Sequence, residues 1–245
     1  ATAELRTRKP EKMLLALKAL DLKEDLHKLR RIWATQALNR FDLEAAKELT
    51  RSESPKARAA ALRALYYEAP RTEGLLTVAE SAVSDPSEQV RLWGVSLLAQ
   101  LDSPKTVPLA LKALDGIKPD DFLDFAVWSI CREHRDRWAD EMKEKGKNPF
   151  ANLSQLLFAS SAIGERLGAD RILASLAEGK IKDDQTVWDI ANWMANEGSP
   201  SHLSKLLGLA SQTKSVTRQH AYLNALLNAK KLRKTSPSET ERISP

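Results

Sequence analysis

Cysteine is almost missing from this sequence: among 245 residues only Cys131 carries a thiol. A disulfide within the chain needs two cysteines, and a Cys-rich zinc site or a CxxCH haem attachment needs more, so all three are excluded here. A lone thiol is tolerated in reducing and in oxidising compartments alike. Glycine is scarce at 9 residues and aromatics make up only 6%. No apolar run approaches the roughly 20 residues that span a bilayer, and no signal-like apolar segment opens the chain. Sustained period-2 alternation is absent, so no strand is expected, and without a strand there is no glycine-rich phosphate loop to follow one. What remains is a chain dominated by Ala, Leu, Lys, Arg and Glu, which predicts an all-helical protein.

The formal charge of +5 would suggest a polyanion partner if it were spread over the surface. It is not. From Ser201 onward eight basic residues face only Glu239 and Glu241, a net +6, so the first 200 residues carry about −1. The basicity is local and terminal.

Repetition organises the chain. "SESPKARAAALRALYY", Ser52–Tyr67, returns about 33 residues later as "SDPSEQVRLWGVSLLAQL", Ser84–Leu101. Ala57-Arg58 matches Val90-Arg91, Ala61 matches Gly94, and Leu65 matches Leu98. The small residue in the middle lets a neighbouring helix approach closely. Pro86 suits a first helical turn, where its missing N–H costs nothing. The same ruler places short helices near Glu11, Leu43, Glu73, Pro104, Asp136, Ala169 and Pro200. Second helices follow near 24–40, 55–67, 86–101, 120–134, 151–166, 183–197 and 215–231, with turn chemistry between them. One such pair cannot bury both its apolar faces and stacking neighbours can, so the pattern predicts an α-solenoid of about seven helix pairs over residues 1–233. Helix 120–134 is apolar almost all round, as expected if covered on both sides. The polar, Pro/Ser-rich tail 234–245 is expected to be disordered.

Several groups invite a chemical reading. Arg58 and Arg91 could touch a ligand or could pair with turn carboxylates, Asp85 and Asp102 being suitably placed. The six tryptophans could stack on bases or fill gaps between repeats; Trp188 and Trp193 flank the apolar stripe of helix 183–197, with Trp193 the one expected to be partly exposed. Cys131 and His134 lie one helical turn apart, but nucleophilic catalysis needs a low-pKa thiolate and a group to orient the imidazole, and Cys131 sits in the most apolar helix. Asp120, Asp121 and Asp124 could suggest a metal or an acid–base pair; a helix's first turn already favours negative charge. The four histidines lack metal-site spacing. The helix Arg218–Lys234 could dock on an acidic partner or lipid headgroups, or close the stack with cations near its C-terminus.

The Pro-xxx-Val-Arg pattern at Pro86–Arg91 resembles HEAT-type repeats. "RIWATQALNRFD", "SPKARAAALRAL", "VSDPSEQVRLWGVSLLAQL" and "DDFLDFAVWSICREHRDRW", in that order from Trp33 to Trp138, are similar to the helical-repeat region of large planctomycete and verrucomicrobial proteins described as membrane-bound dehydrogenases. In that family a β-propeller precedes the repeats and a c-type haem domain with CxxCH follows. The likeness thins after Trp138 and keeps its rhythm to about Leu232. It implies a right-handed HEAT/armadillo-like superhelix, an exported or periplasmic location, and a connecting role in a larger redox protein. Neither propeller nor CxxCH lies within these residues, so this chain is expected to be a non-enzymatic scaffold with no cofactor, no small-molecule substrate and no membrane insertion. Its partner would be a protein segment or a neighbouring domain of the parent; a nucleic-acid-binding solenoid is the alternative. Exposed side chains on the second helices, Arg63, Tyr67, Arg132, Trp193 and Arg218, are the expected binding residues, since aromatic and Arg side chains dominate such surfaces.

Overall fold

The computed structural model describes residues 10–116, 120–145 and 148–238, and among them there are fourteen α-helices, one 3-10 turn and no strand. The chain is all-helical, as its composition predicts. It divides into two compact units, residues 1–134 and 135–245, where the sequence suggests one run.

The first unit holds α1 (Pro10–Lys18), α2 (Asp25–Ala37), α3 (Leu43–Leu49), α4 (Pro55–Glu68), a 3-10 turn (Ala69–Arg71), α5 (Leu76–Ala82), α6 (Glu88–Ala99), α7 (Thr106–Lys112) and α8 (Asp121–Glu133). Long α2, α4, α6 and α8 pack in series, each on the next, and short α3, α5 and α7 each lean on the long helix that follows. The second unit holds α9 (Arg135–Lys145), α10 (Leu153–Ile163), α11 (Ala169–Ala177), α12 (Asp184–Glu197), α13 (Pro200–Gln212) and α14 (Val216–Arg233). There α10, α12 and α14 pack in series, and α11 packs on α13.

Local chemistry starts these helices where the turn residues stand. Ser54, Asp120, Asn152, Asp183, Ser199 and Ser215 are N-caps whose side-chain oxygens accept the N–H three residues on, at 2.7–3.4 Å. Each satisfies a donor the helix cannot. Pro55 and Pro200 occupy first turns. Pro86 does not: Ser87 is the N-cap, and Pro86 sits one residue outside, where the Asp85 carboxylate accepts the Ser87 N–H at 2.8 Å. The Asp side chain, not the proline, shapes that entry. At Gly164 (φ 63°) a left-handed residue closes α10.

The core is aliphatic and continuous along each unit: Ile32, Leu62, Leu65, Leu98 and Ile130 are fully buried in the first, Leu156, Ile172, Met194 and Leu206 in the second. The small middle residue of the repeat does what the spacing predicts. Ala61 is fully buried, and a Cβ at Gly94 would meet Ala82 Cβ at 2.9 Å and the Val83 nitrogen at 3.0 Å, so α6 rides directly on the end of α5.

Polar struts join successive pairs at about the repeat offset. Gln36 Nε2 donates to Glu68 Oε1 (2.9 Å), Lys112 Nζ to Glu80 Oε1 (3.2 Å), Lys205 Nζ to Asp170 Oδ1 (2.6 Å) and Arg166 Nε to the Glu197 carbonyl (2.6 Å). Arg233, near the end of α14, donates to the Ala195 and Gly198 carbonyls at 2.7 and 2.9 Å. It places a cation on the C-terminus of α12, the favourable end of that helix's dipole. Beyond it, Ser238 N–H donates to Ser204 Oγ at 2.9 Å, so residues 234–238 of the expected tail run beside α13. Residues 239–245 lie outside the described residues.

α8 departs from expectation. Leu123, Val127, Ile130 and Cys131 are buried, but Phe122, Phe125 and Trp128 on its other side stand in solvent.

Candidate binding surface

Two clusters of rings and guanidinium groups lie on the long helices of the first unit. On α4, Arg63, Tyr66 and Tyr67 share one side of the helix through i, i+3 and i+4 spacing. α6 brings Trp93 to them. The Arg63 guanidinium carbon stands 5.7 Å from the Trp93 ring centre; Tyr66 meets Trp93 edge-on at 5.9 Å, and Tyr67 meets Tyr66 edge-on at 5.2 Å. Trp93 is half-buried, whereas Arg63 and Tyr67 are exposed, Tyr67 by 58%. A cation held over an indole in water gains only about 0.5–1 kcal/mol. The cluster therefore leaves its outer ring and its charge free to exchange water for a ligand.

On α8 the same spacing recurs. Phe125 and Trp128 stack at 5.8 Å with planes 20° apart, and the Arg132 guanidinium carbon lies 4.7 Å from the Trp128 ring centre. Asp120 caps the helix, accepting the Leu123 N–H at 2.7 Å, and Asp121 and Asp124 follow in the first turn. Burial, with help from the Asp121 charge, holds the Asp124 carboxyl above its ordinary value. Among the described residues no three His, Cys, Asp or Glu side chains converge as a metal site requires.

Arg63, Tyr67 and Arg132 are exposed, and each lies against a ring that the sequence reading did not name. Tyr66 was legible from i+3 spacing; Trp93 comes from the next repeat and was not. The other two expected binding residues are otherwise placed, Trp193 buried and Arg218 half-buried. Trp193 is only 7% exposed, filling the interior of the second unit, and the more exposed tryptophans are Trp33 and Trp128. Arg218 is half-buried and engaged: Nε donates to Asp184 Oδ1 at 2.7 Å and Nη2 to the Lys182 carbonyl at 2.8 Å. It is a strut from α14 to the start of α12.

No protein-family model, curated protein or solved structure matches the chain.

The remaining candidates resolve into local structure. Arg58 holds Asp85, while Arg91 donates to main-chain oxygens of Asp85, Ala113 and Asp115 at 2.5, 2.9 and 3.4 Å. His202 completes a capping box with Ser199; His220 lies edge-on to Trp188 at 5.5 Å. His134 Nε2 lies 3.1 Å from the Ala99 carbonyl. A cleft of about 420 Å³ between α3 and α5 is lined by Lys47, Arg51 and Asp85 among others, but Glu44 neutralises Lys47 at 3.2 Å and Arg58 occupies Asp85. No helix among the described residues is long and apolar enough to cross a membrane.

Cys131 is fully buried, and burial pushes its thiol up to about 12. The nucleophilic thiolate is therefore disfavoured in the folded chain relative to an unfolded one. Iodoacetamide at pH 8 is expected to label Cys131 in the folded protein at least about tenfold more slowly than in urea, because the thiol is buried, with mass spectrometry as the readout. Comparable rates would place the thiol at the surface.

Proposed function

We propose that this chain is a right-handed, HEAT/armadillo-like α-solenoid that acts as a non-enzymatic protein-interaction scaffold, the connecting part of a larger redox protein. Serial packing of the long helices and struts at one-repeat offset support the solenoid reading. The resemblance of residues 33–138 to dehydrogenase-associated repeats supports the connecting role. The observation that carries the binding reading is the cluster of Arg63, Tyr66, Tyr67 and Trp93: two successive repeats contribute one amphipathic, cation-bearing aromatic surface. Rigid rings lose little conformational freedom when a partner covers them, and Tyr, Trp and Arg are the side chains that dominate protein interfaces. The ligand is an extended or helical protein segment with an apolar anchor and an acidic neighbour, the anchor against Tyr67 and the acid against Arg63.

Selection of a random-peptide library on the full chain tests this. Selected peptides are expected to carry such a pair, and their affinity to fall at least about tenfold on Tyr67→Ala and on Arg63→Ala. Peptides whose binding ignores both substitutions overturn the assignment. So does tight binding of random-sequence DNA that falls steeply with salt, the mark of phosphate neutralisation.

A further inference from the structure

Three long helices within the first unit, α2, α4 and α6, leave the same stripe uncovered. Counted from their N-caps Glu24, Ser54 and Ser87, the second, sixth, ninth and thirteenth residues lie on one side of each helix. None of these twelve residues, three helices by four positions, is buried. The stripes stand side by side. Arg63, ninth in α4, lies over the ring of Trp93, sixth in α6, and the Gln36–Glu68 bond ties α2 to α4.

Charge sorts sharply along this face. The three helices carry three, three and one basic residues, seven in all. The four off the stripe are held inside the unit: Lys28 by Glu48 at 3.7 Å, Arg31 by Asp42 at 3.9 Å, Arg58 by Asp85, and Arg91 by main-chain oxygens. The three on it are Arg30, Lys56 and Arg63. Among the described residues none of these three side chains has an ion pair or a hydrogen bond. The acids of the same helices, Asp25, Glu68 and Glu88, all stand off the stripe. A carboxylate arriving from outside therefore meets cations that give up only water, with no internal pair to break. Rings stand among these cations: Trp33, 48% exposed, on α2, Tyr67 on α4 and Trp93 on α6.

We infer that one acidic protein segment, in extended conformation, crosses α2, α4 and α6 on this stripe. One apolar residue rests against Trp33, a second against Tyr67 and Trp93, and carboxylates between them face Arg30, Lys56 and Arg63. Packed helices lie about 8–10 Å apart, so the crossing spans about 16–20 Å. That is about five to six residues at about 3.3 Å each, which sets the spacing of the two anchors. Trp33 and Trp93 stand two helices apart, a spacing that suits two side-chain anchors better than the successive bases a single strand stacks on neighbouring rings. The inference rests on the reading of Arg63 and Tyr67 as binding residues, and adds to it the partner's charge, its length and a second anchor.

The test uses the full chain and fluorescein-labelled twelve-residue peptides selected on it from a random library, with anisotropy as the readout. The selected peptides are expected to carry acids between two apolar residues about five to six apart. Their affinity is expected to weaken with salt, and to fall at least about tenfold on Trp33→Ala and on Arg30→Glu/Lys56→Glu. All three positions are exposed, so both variants are expected to keep the parent's circular-dichroism melt. The charge reversal decides the question even if Trp33→Ala melts early. Peptides that weaken on Tyr67→Ala and Arg63→Ala but ignore the two new variants overturn the three-helix path and leave the smaller site standing. Peptides that ignore all four variants overturn both readings. Tight binding of oligothymidylate that the same variants abolish, with no acidic peptide recovered, assigns the stripe to single-stranded nucleic acid and overturns the inference.

Discussion

Arg58→Met is expected to destabilise the first unit by about 3 kcal/mol, the low end of the range for breaking a buried ion pair. The Arg58 guanidinium makes two parallel bonds to Asp85, Nε to Oδ2 and Nη2 to Oδ1, both 2.8 Å, and its Nη1 holds the Ser52 and Glu53 carbonyls at 2.9 and 3.0 Å. Both side chains are nearly out of water, at 13% and 12% exposure. Asp85 in turn accepts the Ser87 N–H, so one guanidinium ties the turn before α4 to the turn before α6. Methionine fills the stem's volume but strands the carboxylate and frees two carbonyls. For a chain of this length each kcal/mol lowers Tm by roughly 2–4 °C, so a drop of roughly 6–12 °C is expected. Arg58→Met/Asp85→Leu should recover more than half of the loss, because the penalty is an uncompensated charge and not a missing attraction. A single variant that melts within about 2 °C of the parent would show that water reaches Asp85.

Trp138→Ala is expected to be at least as damaging to the second unit, about 3–5 kcal/mol by the usual cost of emptying a large buried site. Trp138 has no exposed surface and meets Phe150 edge-on at 5.2 Å and 66°. The surrounding α9 sequence, "RDRWADEMKEK", is almost wholly charged, and Trp138 with Ala139 supplies its buried side. A helix so polar holds its place through tertiary packing, because propensity alone is marginal at eleven residues. Hydrogen exchange should therefore show α9 losing protection first in the variant. Trp138→Phe, which keeps an aromatic edge for Phe150, should retain most of the stability. Wild-type melting of the alanine variant would mean that α9 is anchored through Arg135 and Glu165, whose 2.5 Å bond holds the Glu165 carboxyl below its ordinary value.

Much of this fold was legible in the sequence. Helices expected at 55–67, 120–134 and 183–197 stand at Pro55–Glu68, Asp121–Glu133 and Asp184–Glu197, because their starts are written by Ser54, Asp120 and Asp183 within three residues of each helix. The Arg58–Asp85 partnership was legible too, since a turn carboxylate and a helix arginine recur at the repeat spacing. Trp193 and Trp128 were not. Both lie on amphipathic helices that carry apolar residues within a turn on either side, and nothing local to either distinguishes the buried one from the exposed one. Arg218 looked like a surface cation because its partner, Asp184, stands 34 residues away.

By itself the sequence determined that this chain is helical, where the side-chain-capped helices at Pro55, Asp121, Asp184 and Pro200 begin, and that a small residue at Gly94 admits a neighbour. Those choices rest on caps, spacing and side-chain size, forces that act over a few residues. Only the tertiary structure decided which faces are covered: that Trp193 is interior, that Arg63 meets Trp93, and that Arg218 is held by Asp184. Whether a face is covered depends on a helix about thirty residues away being there to cover it, and no local pattern carries that information.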